Sequence, residues 1–184
     1  MCVAGKRQVA KILTGLSGEY YVAAELCRRG FFASLTLKNY PKVDLFVMHP
    51  VEQYAVPIQV KAVARGKGGW GFFVPSDAAM YQGLFVFVVV GDDQHPYETF
   101  ILTPQEVADR AERARHDYMT ALPHRAGMKE EDQPFMLHLS ELEDRRERWD
   151  VVTQRLLAER FIWHDGEVEV TLPGGPVPKK EGNE

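Results

Sequence analysis

Seven consecutive apolar residues, Leu84-Phe85-Val86-Phe87-Val88-Val89-Val90, constrain the fold more than any other stretch of the chain. The run has no polar residue to face water and is built from β-branched and aromatic side chains, the pattern of a strand buried on both faces. It is far shorter than the roughly 20 residues needed to cross a bilayer. A strand of this kind belongs inside a sheet with further elements packed on it. The chain supplies candidates on both sides of the run.

Further strands are expected at Phe31–Leu37, Val43–Val47, Pro57–Val63, Trp70–Val74 and Tyr97–Leu102, each rich in β-branched or aromatic residues. A helix is expected over about residues 6–29, ending in Arg28-Arg29-Gly30, a basic last turn followed by a glycine stop. Gly15 and Gly18 weaken its first half, each costing about 1 kcal/mol against alanine, and Ser17 offers an alternative cap there. Ser76 is expected to cap a short helix over Asp77–Gln82. Thr103-Pro104-Gln105-Glu106 reads as a helix start, with a Thr cap, Pro at the first position and Glu at the box position; the helix is expected to run to Arg115. Residues 116–134 read as irregular.

Ser140 then opens a charged helix through Leu157, whose stripe of Leu142, Arg145, Trp149, Val152 and Leu156 is expected to pack on the domain. Phe161–Trp163 and Val168–Leu172 form a terminal hairpin, and 173–184 a disordered tail. The whole is an α/β or α+β sheet carrying helices, one domain over residues 1–172 with a core at about 12–108 and an extension over 109–172.

At 184 residues the chain is long enough for one sizeable core, and 45% hydrophobic with 26% charged residues is ordinary for a globular protein. The net charge of −4 argues against a non-specific nucleic-acid binder that works through overall charge. It leaves room for a local basic patch, and Lys38, Lys42, Lys61, Arg65 and Lys67 cluster in one stretch of sequence, whereas acidic residues concentrate from Glu130 to Glu147. Two cysteines, Cys2 and Cys27, make neither a disulfide framework nor a zinc site; Cys27 reads as a buried helical cysteine of a reduced, cytoplasmic protein. No histidine pair has zinc-binding spacing. A basic N-terminus without an apolar stretch after it is not a signal peptide.

Within this frame, three residues gather chemistry. Asp44 ends Pro41-Lys42-Val43-Asp44, and Gln59 and Lys61 lie in Ile58-Gln59-Val60-Lys61. Alternation puts Gln59 and Lys61 on one face of their strand, with Ile58 and Val60 on the other. A neighbouring strand carrying Asp44 could bring a carboxylate, an amide oxygen and an ammonium together, a set suited to a hard cation and a phosphate. Each residue also has an ordinary reading: Asp44 as a turn residue, Lys61 as a solvated edge lysine, Glu19 as a solvent-facing helix residue.

With Gly18-Glu19-Tyr20-Tyr21-Val22-Ala23-Ala24-Glu25-Leu26 on the upstream helix, followed by Arg29-Gly30-Phe31, the order of motifs resembles the PD-(D/E)XK nuclease superfamily. Within it the likeness is greatest to archaeal Holliday-junction resolvases and to the small branch that includes an intron-encoded homing endonuclease. It covers about residues 12–108. The resemblance implies a restriction-endonuclease-like fold, a mixed central sheet flanked by helices, here with a C-terminal helix and a short hairpin. It implies a Mg²⁺-dependent DNA endonuclease, with Mn²⁺ as a substitute, acting on duplex or branched DNA in repair, recombination, mobile-element or defence work.

In that scheme Asp44, Gln59, the Val60 carbonyl and Glu19 hold metal, and Lys61 orients the attacking water. Lys38, Lys42, Arg65 and Lys67 contact DNA, the Gly66-Lys67-Gly68-Gly69 turn being a candidate contact loop. Gln59 stands where most members have Glu, which removes one negative charge. A catalytically inactive module that keeps the fold and binds nucleic acid or protein is the alternative. Relatives often assemble, and a homodimer or higher homo-oligomer is expected on that ground.

Overall fold

A computed structural model of the chain describes residues 3–37, 41–50, 55–66, 71–121, 135–158, 161–164 and 167–170. The first element is α1 (Val3–Arg28), a single unbroken helix. Ser17 does not cap a new start; its hydroxyl shares a 2.6 Å hydrogen bond with the Tyr97 hydroxyl. The helix stops because Gly30 adopts φ +88°, open to glycine at little cost. The Gly30 N–H donates to the Cys27 carbonyl at 3.0 Å and the Phe31 N–H to the Leu26 carbonyl at 3.1 Å, the bond pair of a Schellman motif. Cys27 is exposed, not buried as its residue type suggested, because Val22 and Leu26 take the inward stripe.

Six strands follow: β1 (Phe32–Leu35), β2 (Leu45–Met48), β3 (Ala55–Ala64), β4 (Gly71–Val74), β5 (Leu84–Val90) and β6 (Glu98–Leu102). Five of them form a mixed sheet in the order β1-β2-β3-β5-β6. β1, β2 and β3 are successive antiparallel neighbours, β3 and β5 are parallel, and β6 returns antiparallel to β5. β4 leaves this sheet and pairs with β7 (Phe135–His138). Between β4 and β5 the expected short helix is one 3₁₀ turn, Ala78–Met80, with Asp77 and not Ser76 at its N-cap.

The apolar run of β5 is buried on both faces, as a central strand must be. Leu84, Val86 and Val88 face α1 and α3 (Asp150–Ala158), joining Val22, Leu26, Trp149 and Val152 in one core. Phe85, Phe87 and Val89 face the other way and meet Phe72, Phe100 and Leu137, as well as Val107 of α2 (Pro104–Ala121). α2 begins as its capping box requires: the Thr103 N–H donates to the Glu106 carboxylate at 2.8 Å, and the Glu106 N–H to the Thr103 hydroxyl at 3.3 Å. It extends past Arg115 to Ala121, so the segment read as irregular begins as helix.

The helix expected from Ser140 to Leu157 is broken. Two 3₁₀ turns, Leu139–Glu141 and Glu143–Arg145, precede α3. The break lets one apolar stripe serve both cores: Leu142 enters the β4–α2 side, and Trp149, Val152 and Leu156 enter the α1 side. Between them Arg146 bridges to Phe100, and the Glu147 N–H donates to the Thr99 carbonyl at 2.8 Å, so the segment turns around the β6 edge of the sheet. Glu147 has φ +54°, an uncommon backbone for a non-glycine residue. Its carboxylate fixes it there, accepting from the Thr99 N–H at 3.0 Å, the Thr99 hydroxyl at 2.7 Å and the Trp149 indole N–H at 2.9 Å. A hairpin of β8 (Phe161–His164) and β9 (Glu167–Val170) ends the described chain. The 173–184 tail lies outside the described residues.

Among the described residues no helix is long and apolar enough to cross a membrane.

Candidate functional site

Asp44 stands immediately before β2, and backbone pairing fixes it on both sides. Its N–H donates to the Ile58 carbonyl and its carbonyl accepts from the Thr36 N–H, each at 2.9 Å. Its side chain then continues the ladder where the backbone of β2 does not. Oδ2 accepts from the Val60 N–H at 2.7 Å and from the Gln59 side-chain amide. A carboxylate only accepts, so Gln59 must turn its NH₂ group toward Asp44 and its oxygen away. The N–H and C=O of one strand residue lie on the same strand edge, which puts the Val60 carbonyl on the edge facing Asp44.

Alternation along β3 puts these residues on the faces the sequence suggested. Val56, Ile58 and Val60 are buried in the α1-side core, while Gln59 and Lys61 are half-buried on the opposite face. Lys61 is near enough for its charge to lower the Asp44 carboxyl. Burial pushes that carboxyl up; the Val60 N–H, the Lys61 ammonium and the Gln59 amide all pull it down without overcoming burial, and it stays above the usual carboxylate range. A cation beside Asp44 would oppose the desolvation and lower it.

Glu19 reaches this region from α1. It lines a groove of about 410 Å³ together with Asp44, Thr36, Gly15 and Lys11. The helix sits close because of Gly18: a Cβ there would lie 2.6 Å from the Ala62 Cβ of β3, a separation real Cβ atoms do not reach. The glycine that weakens the helix in isolation therefore brings α1 onto the sheet one residue before Glu19. Asp44 is thus approached from two sides, by Gln59 across β3 and by the α1 groove.

Among the described residues there is no cluster of three or more His, Cys, Asp or Glu side chains that could hold a metal. The oxygen donors near Asp44 are a sparse set: Asp44 itself, Glu19 in the same groove and the Val60 carbonyl. A cation held by one or two carboxylates and mainly by waters, as Mg²⁺ commonly is, is the kind that such residues could hold. They do not suit a cation that requires a full protein cage.

The basic residues divide differently. Lys42, at φ +64°, pairs with Asp77 and stands 5.0 Å from the centre of the Tyr81 ring. Arg65 pairs with Glu98, which also binds Arg146 at 2.6 Å; the Arg65 Nε is buried without a partner. Both side chains are therefore engaged within the protein. Lys38 and Lys67, with the rest of residues 67–70, lie outside the described residues.

Three residues of this region escaped the sequence reading. Thr36 donates its hydroxyl to the Val43 carbonyl at 2.8 Å and steadies the turn before Asp44. Tyr81 shares a groove with Gln59 and Lys42. Lys11 lies on the Glu19 face of α1, and the spacing Lys11-Gly15-Glu19 was the available signal, since residues four apart share a helix face.

No protein-family model, curated protein or solved structure matches the chain.

Proposed function

We propose that this chain is a cation-dependent DNA phosphodiesterase of the PD-(D/E)XK type, with a restriction-endonuclease-like sheet. The observation that carries the reading is the meeting of Asp44 with Gln59 and Val60 across β2 and β3, with Lys61 acting on Asp44 and Glu19 sharing its groove. In this reading Asp44, Glu19 and the Val60 carbonyl hold Mg²⁺ or Mn²⁺, with the Gln59 oxygen available on rotation of its amide. The cation supplies Lewis acidity and a more acidic bound water. The Lys61 ammonium orients the attacking water and offsets charge growing on the phosphate. In-line attack on phosphorus breaks the bond to the 3′ oxygen and leaves a 5′-phosphate. Cutting both strands of a duplex takes two such sites, which a second copy of the chain would provide.

One observation favours a second reading. The Gln59 amide occupies an oxygen of Asp44 where a second carboxylate would strengthen the cation site, and burial favours the protonated acid. A nucleic-acid-binding module without catalysis has the same geometry.

Cleavage of plasmid and branched DNA with Mg²⁺ or Mn²⁺ separates the two. The expected result is metal-dependent cutting by the wild type and none by Asp44→Ala or Lys61→Ala, a loss of at least about 10²-fold. Cutting that survives in both variants would remove these residues from the chemistry. Salt-sensitive DNA binding without any cutting would select the module.

A further inference from the structure

A second groove, of about 650 Å³, runs along the other side of Lys11, between α1, β3 and β4. Lys11 lines both grooves, so they meet at this residue. The described lining of the second groove includes Lys11 and Lys61, with Arg65 already held by Glu98, and no carboxylate, in a chain whose net charge is −4. Among the described residues neither Lys11 nor Lys61 forms a salt bridge, and the Lys61 charge is felt by Asp44 at the edge of the site. Charge here is complementary to an anionic polymer, which the surface as a whole is not.

The wall of this groove carries an exposed aromatic ring. Alternation along β4 sends Phe72 into the core, 1% exposed, and leaves Phe73 at 66% exposed. Gly71 begins the strand, and a Cβ there would collide with the Leu137 carbonyl oxygen of β7. Close β4–β7 pairing, in which Phe73 stands opposite Met136, therefore fixes the backbone that carries the ring. An exposed Phe beside cations offers what a nucleobase stacks on, and stacking is open only to a base that is not already stacked in a duplex.

We propose that the groove between α1, β3 and β4 binds an unpaired DNA strand, with Lys11 on a backbone phosphate and Phe73 stacked on a base. The proposal rests on the phosphodiesterase reading for one point, that the strand leads toward the phosphate presented to Lys61. It deepens that reading by naming a substrate class, DNA with a single-stranded portion beside the cut.

Fluorescence anisotropy tests it in EDTA, where no cleavage occurs, with short labelled oligonucleotides in single-stranded and duplex form. The wild type is expected to bind the single strand more tightly. Phe73→Ala should weaken that binding by about tenfold and leave duplex binding unchanged, with Phe73→Trp restoring it. Lys11→Ala should weaken both forms and flatten the salt dependence for the single strand by about 0.7 in log–log slope. Phe32→Ala, which removes another exposed apolar side chain outside these grooves, should change nothing.

Unaltered single-strand binding by Phe73→Ala, or a wild type that prefers the duplex, overturns the proposal. Metal-dependent cutting alongside unaltered binding by the Phe73 and Lys11 variants would overturn the groove assignment alone. Groove-dependent single-strand binding with no cutting under Mg²⁺ or Mn²⁺ supports the groove and overturns only the phosphodiesterase reading.

Discussion

Asp44 is expensive to keep ionised. Burial raises its carboxyl above the usual range, so over a window opening at the ordinary carboxylate value the folded protein holds a proton that the unfolded chain has released. Stability therefore falls as pH rises through that window, and at neutral pH the ionised group is a standing cost to the fold. Asp44→Asn keeps an oxygen for the Val60 N–H and removes the charge. Urea unfolding without divalent cations should show this variant more stable than wild type at neutral pH, the gap closing as pH falls toward the ordinary carboxylate value. On the proposed reading the same variant cleaves nothing. The alternation of Ile58-Gln59-Val60-Lys61 was legible in sequence because a strand's period is fixed. The engagement of Lys42 and Arg65 was not, since Asp77 and Glu98 lie 35 and 33 residues away along the chain.

Elements show the same division between local and distant causes. The Thr103 capping box, the Gly30 stop and the β5 run were readable because each signal lies within the element it governs. Helix α1 was harder, because Gly15 and Gly18 look alike in sequence and differ only in what they meet. Gly15 has open space where a Cβ would go, and Gly18 rests against Ala62. Gly15→Ala should therefore stabilise the protein by about 0.5–1 kcal/mol. Gly18→Ala should destabilise it by about 1–3 kcal/mol through overpacking. Thermal unfolding of the two variants compares them directly, and equal effects would refute the close approach of α1 to β3. The split of the 139–157 segment was illegible for a related reason. Its apolar spacing suits one continuous helix, and only the two-sided sheet demands that Leu142 and Trp149 part company.

Across the whole molecule, the sheet ends in two unlike edges. β1 closes one side with Phe32 61% exposed. The other side, β6, is held by the segment around Arg146 and Glu147, where backbone and carboxylate together satisfy Thr99, the buried polar residue of that strand. Glu147→Ala should cost about 1–2 kcal/mol, since it leaves the Thr99 hydroxyl and the Trp149 indole without their acceptor. Amide hydrogen exchange should quicken at Thr99 before it does in β5; unchanged protection there would count against this role. The two-core architecture was foreseeable from the β5 run, but the late residues that guard its edge were not. They also set an order of events at the ribosome. Chains emerge N-terminus first, so β6 leaves the exit tunnel before its guard does. For that interval the nascent sheet has two open edges, and an unguarded edge is a template for pairing with another chain.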